Sequence, residues 1–126
     1  MALAVHKINH PSDATGKWLD SVCMPVPEFV YHTLLTAATD KSIAVPAGAT
    51  HAVITTDNVA PVFMKANAAA SVPAGDVVDG TGSSALPAGY PVIYQLEPMS
   101  DTTVISTLHF ISTGVPKVTI SWWKYQ

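Results

Sequence analysis

The stretch Val115-Pro116-Lys117-Val118-Thr119-Ile120-Ser121-Trp122-Trp123-Lys124-Tyr125 decides the fold class. Side chains on a β-strand point alternately to opposite faces. Val118, Ile120 and Trp122 therefore share one face, and Thr119, Ser121, Trp123 and Tyr125 share the other. This period of two reads as a half-buried strand and assigns Trp122 to the core. Trp123 falls on the polar face. A large aromatic there is an interface anchor, or is covered by the N-terminal arm, and the two need not exclude each other.

The same period recurs upstream as far as Phe29. Ala49–Thr56 sets Ala52 and Ile54 against His51, Val53 and Thr55, and Pro61–Ala66 sets Val62 and Met64 against Phe63 and Lys65. Pro91–Glu97 sets Val92, Tyr94 and Leu96 against Ile93, Gln95 and Glu97. Phe29–Ala38, Ser42–Val45 and Thr102–Ser112 read as further strands. No segment after Phe29 carries a helical i, i+3, i+4 apolar stripe, and parallel βαβ units need crossover helices. The expected fold is all-β: an antiparallel β-sandwich or jelly roll of about seven or eight strands over residues 29–126.

Turn chemistry agrees. Pro-Ala-Gly occurs at Pro46–Gly48, Pro73–Gly75 and Pro87–Gly89. Proline at the first corner and glycine with positive φ at the second would make type II turns. Ala68–Gly89 is the longest expected loop, with a short strand near Asp76–Val78. Residues 1–28 differ in character, with Pro11, Gly16, Pro25 and Pro27 among polar residues. They read as an irregular or extended N-terminal arm with one short helical turn within Asp13–Val22. Trp18 and Leu19 would anchor the arm on the body or on a neighbour.

Composition narrows function. The chain has 126 residues, 48% hydrophobic and 12% charged, against a usual charged share of roughly 25%. That is enough apolar residue for one core. Net charge is −3 and the six basic residues are all lysines, without a cluster. Phosphate binding relies on clustered Lys and Arg, so nucleic acid is not an expected partner. The single cysteine, Cys23, cannot close an intramolecular disulfide and reads as a small buried hydrophobe. The N-terminal sequence does not read as a signal peptide, and no apolar run approaches a membrane span, so no membrane partner is expected.

Catalytic motifs are sparse. Pro46-Ala47-Gly48-Ala49-Thr50-His51 resembles the second conserved motif of cupins, which would make His51 a metal ligand in a cupin-like metal-binding enzyme. The pattern departs at Asp40 and Thr55, and no His-x-His pair supplies the first cupin motif. Metal catalysis typically needs three protein ligands. The competing reading of His51 is a strand residue on the more polar sheet face. There is no Gly-x-Ser-x-Gly elbow, and Gly80-Thr81-Gly82 lacks the lysine and helix of a phosphate loop. No enzymatic activity and no cofactor are expected.

The run Ile43–Ile54, with the Ser/Thr-rich strands and the terminal Ser121-Trp122-Trp123-Lys124, resembles small virion structural proteins of tailed bacteriophages. The resemblance implies a non-enzymatic structural protein, first of all a capsid decoration (cement) protein on the capsid lattice. An alternative it leaves open is a tail or fibre component, where Trp123 and Tyr125 would stack on a carbohydrate. It implies other virion proteins as partners, a homo-oligomer with a trimer favoured, and residence in the virion after assembly in the host cytoplasm. It transfers no catalytic or binding residue. Trp18, Leu19, Trp123 and Tyr125 are the interface candidates.

Overall fold

A computed structural model of the chain describes residues 6–8, 26–27, 29–96 and 104–125. The described residues hold nine strands and no helix, so the protein is all-β. In chain order the strands are β1 (His6–Ile8), β2 (Val30–Leu34), β3 (Lys41–Ala44), β4 (His51–Thr56), β5 (Val62–Ala66), β6 (Ser84–Ala85), β7 (Val92–Gln95), β8 (Thr107–Ser112) and β9 (Lys117–Tyr125).

The C-terminal strand organises the first sheet. β4 pairs along one side of β9, with β7 beyond it. The other side of β9 is shared by two short strands. β2 lies opposite Lys117–Ser121 and β1 opposite Trp123–Tyr125. All these pairings are antiparallel except β1 with β9, which is parallel. The second sheet has the order β3-β8-β5-β6 and is antiparallel throughout.

One hydrophobic cluster draws on both sheets. Ala52, Ile54, Val118, Ile120 and Trp122 come from the first sheet, and Val62, Met64, Leu108 and Phe110 from the second. Trp122 and Phe110 are fully buried, and Tyr31 meets the Trp122 indole edge-on at 5.7 Å. Truncating either large ring to alanine would cost about 3–5 kcal/mol, a large share of the roughly 5–15 kcal/mol that holds a domain together. The alternation thus assigns the core face correctly in β4, β5 and β9.

The second and first sheets are joined at the corner between β8 and β9. The Ser112 hydroxyl, wholly buried, donates to the Pro61 carbonyl at 2.6 Å and accepts from the Gly114 N–H at 3.2 Å. The Pro116 carbonyl accepts from Leu35 N–H at 2.9 Å, and the Ser112 carbonyl accepts from Ala38 N–H at 2.8 Å. These bonds satisfy backbone groups where the chain leaves one sheet for the other, as buried polar groups require.

Several expectations need correction. His6–Ile8, within the arm, is extended and forms a strand, which the strands expected over residues 29–126 did not include. The short strand of the long loop is Ser84–Ala85, not Asp76–Val78, because Met64 and Phe63 at the edge of β5 supply its partners there. At Pro46–Gly48 the Ala49 N–H donates to the Pro46 carbonyl at 3.1 Å, which makes Ala47 and Gly48 the corners; Gly48 has φ +84° and proline stands one place earlier than expected. Gly89 also has positive φ, but Gly75 does not. The expected helical turn in Asp13–Val22 lies outside the described residues.

Candidate functional site

Two places concentrate polar or aromatic groups: the outer face of the first sheet around Trp123, and the outer face of the second sheet around His109. Register builds the first in rows. Gln95, His51, Trp123 and His6 lie side by side across β7, β4, β9 and β1. The next row is Ile93, Val53, Ser121 and Val30, followed by Thr55, Thr119 and His32. His32 Nδ1 lies 3.0 Å from Thr119 Oγ1, and His51 Nδ1 lies 2.9 Å from Thr50 Oγ1.

Trp123 is only 6% exposed, so its indole offers a partner almost no surface in this chain. Ile93 and Leu34, on the strands flanking that face, are by contrast well exposed. Tyr125 ends β9 as the register partner of Ile8. Trp18 and Leu19 lie outside the described residues. The face therefore presents hydroxyls, imidazoles, the exposed apolar side chains of Ile93 and Leu34, and Lys117, and a stacking platform for a sugar ring is not formed by Trp123.

His51 begins β4, immediately after the Pro46–Ala49 turn. Among the described residues, no three His, Cys, Asp or Glu side chains converge to hold a metal ion. A cleft of about 290 Å³ lies between that turn and Val104–Ser106, and among the described residues no titratable side chain lines it.

The second place escaped the sequence reading. Asp40, just before β3, lies 69 positions from His109 on β8. Its Oδ2 lies 2.9 Å from His109 Nδ1, which places a donated proton there. His109 Nε2 lies 3.2 Å from Thr107 Oγ1. Asp40 Oδ1 accepts the Ala70 N–H at 2.8 Å. Carboxylate, imidazole and hydroxyl in series are the ingredients of an activated nucleophile. A nucleophile of that kind also needs donors for a developing oxyanion. Two nearby side-chain donors are engaged elsewhere: Lys65 Nζ donates to the Thr81 carbonyl at 2.8 Å, and Asn67 Nδ2 to the Val104 carbonyl at 2.9 Å. The arrangement fastens the long loop to the sheet through Ala70, which is buried.

No protein-family model matches the chain, and neither does any curated protein or any solved structure.

Two groups elsewhere, Asp79 and Tyr94, titrate away from their ordinary range. Hydrogen bonds from the Thr81 hydroxyl and N–H hold the Asp79 carboxyl below the usual carboxylate range. Burial pushes the Tyr94 phenol up. The first stabilises a turn in the exposed loop, and the second reports a tyrosine packed against the core from β7.

Proposed function

We propose that this chain is a non-enzymatic structural protein of a bacteriophage virion, and within the virion a capsid decoration protein that binds the capsid lattice as a homo-oligomer, a trimer first. The observation that carries the reading is the N-terminal strand: β1 adds itself to the edge of β9 from the far end of a long connection. Chains that extend a sheet by edge addition gain main-chain hydrogen bonds with little demand on side-chain chemistry. Repeated on a lattice, such modest contacts sum to firm attachment. The low charge limits repulsion between crowded copies. The resemblance of Ile43–Ile54 to small virion proteins supplies the setting, with assembly in the host cytoplasm.

Immunogold labelling of intact particles of the source phage, with antibody raised against the folded chain, tests this. Gold spread over the capsid shell is the expected result. Gold confined to tails or fibres would replace decoration with a tail role, and unlabelled particles that also lack the chain by mass spectrometry would remove the virion reading.

A further inference from the structure

We propose that β1 is an exchangeable arm: in the assembled protein, His6–Ile8 of one copy pairs with Trp123–Tyr125 of a second copy of this chain. The seat exists because of a mismatch in strand length. β9 has nine residues and β2, its antiparallel neighbour on that side, has five. The Phe29 carbonyl accepts the Trp122 N–H at 3.1 Å and extends the pairing by one more position. Beyond it the edge of β9 continues through Trp123, Lys124 and Tyr125, and β1 fills it.

The link makes the filling copy interchangeable. Ile8 lies opposite Tyr125 and Val30 opposite Ser121, so the ends of the connection are four β9 positions apart, roughly 13 Å at strand rise. Residues 9–29 form that connection. A chain of this length extends to roughly 70 Å at most. The link is therefore long enough to reach the β9 of an adjacent copy. An exchanged arm makes the same pairings in the same register, so the choice between copies turns on the concentration of neighbours against the effective concentration of a chain-linked arm, which is of millimolar order. Neighbours in an oligomer or lattice reach that range, whereas dilute monomers do not. Exchange of identical elements is a low-cost route to assembly.

The pairing is also weak enough to open. It spans three residues, it is parallel, and it brings Lys7 and Lys124 to facing register positions, where like charges are unfavourable.

Disulfide trapping on the full chain tests the exchange, in a Cys23→Ser background to remove the native thiol. Lys7→Cys and Lys124→Cys are made singly and together. Register partners lie within the Cα separation that a disulfide needs. The double variant at low concentration should close an intramolecular disulfide, which verifies fold and register. The two single variants, mixed at millimolar concentration under a glutathione redox buffer, should give a covalent heterodimer that proteolysis and mass spectrometry assign to the 7–124 link. The heterodimer should fall at least tenfold when the same mixture is held at micromolar concentration. A double variant that links while the mixed singles give no 7–124 heterodimer at any concentration would overturn the exchange, as would a double variant that never links. Because the readout is the free protein in solution, its failure is separable from that of the virion reading.

Discussion

Gly114→Ala should destabilise the protein through a single contact at the corner between the sheets. A Cβ at position 114 would lie 2.8 Å from Ala60 Cβ. Carbon atoms settle about 3.5–4.0 Å apart, so the corner must open by at least roughly 0.7 Å. Neither atom sits on a flexible side chain, and the backbone on both sides is tied down. Gly114 N–H is bonded to Ser112 Oγ, which is itself bonded to the Pro61 carbonyl beside Ala60. Overpacking of this kind costs about 1–3 kcal/mol. Gly114 has no positive φ, so no left-handed strain is added, and replacing glycine returns about 0.4–1 kcal/mol through the unfolded chain. The expected net loss is about 1–2 kcal/mol. Equilibrium urea unfolding should show it as a midpoint lowered by about 0.5–1.5 M with the slope unchanged. Ala60→Gly removes the opposing methyl, so Gly114→Ala combined with Ala60→Gly should show a favourable coupling of about 1 kcal/mol or more. A Gly114→Ala protein as stable as the parent, or a double variant with purely additive losses, would refute the reasoning.

Thr33 Oγ1 is buried without a hydrogen-bond partner, and Thr33→Val replaces the hydroxyl by a methyl of similar size. It should raise stability by about 1 kcal/mol, or about 3–5 °C in Tm by calorimetry; an unchanged or lower Tm would show that the hydroxyl is satisfied. Asp40→Ala removes both the His109 and Ala70 contacts. Amide exchange at Ala70 should accelerate about tenfold or more while Phe110 stays protected, and equal protection at Ala70 would show that the loop is held by other contacts. The Tyr94 phenol, raised by burial, binds its proton more tightly folded than unfolded. Its contribution is therefore full below the ordinary phenol range and is lost as pH rises through the raised folded value. Denaturation at pH 9 and pH 11 should show a smaller alkaline loss in Tyr94→Phe than in the parent.

The core was legible because period-two alternation survives in any strand long enough to show it. Val118, Ile120 and Trp122 announce their face, as do Ala52 with Ile54 and Val62 with Met64. What stayed hidden was pairing. His6-Lys7-Ile8 is too short to display a period, and only the edge of β9 makes it a strand. Val77 and Val78 have the composition of a strand, yet Ser84–Ala85 takes the place beside β5 because the chain returns there. The Asp40–His109–Thr107 series needs β3 and β8 as neighbours, which no local motif signals. Trp123 shows the limit most clearly: its polar-face position was readable, but its 6% exposure is a tertiary property.

Edge management ties these observations together. A sheet edge invites unwanted pairing unless it is short, charged or covered. β6 has two residues, β7 has four, and β3 carries an exposed lysine at Lys41. Those edges are blunted by brevity or charge. β9 is long because it must span both β2 and β4, and its last positions outrun β2. Blunting that edge directly would mean shortening the strand that carries Trp122, the largest buried side chain of the core. Covering it with a tethered arm leaves β9 intact. The cover is joined through residues 9–29 rather than by a tight turn, and in the exchange proposed above a second copy closes that edge in the same register. In that exchange the strand that secures the core would also carry the site where copies join.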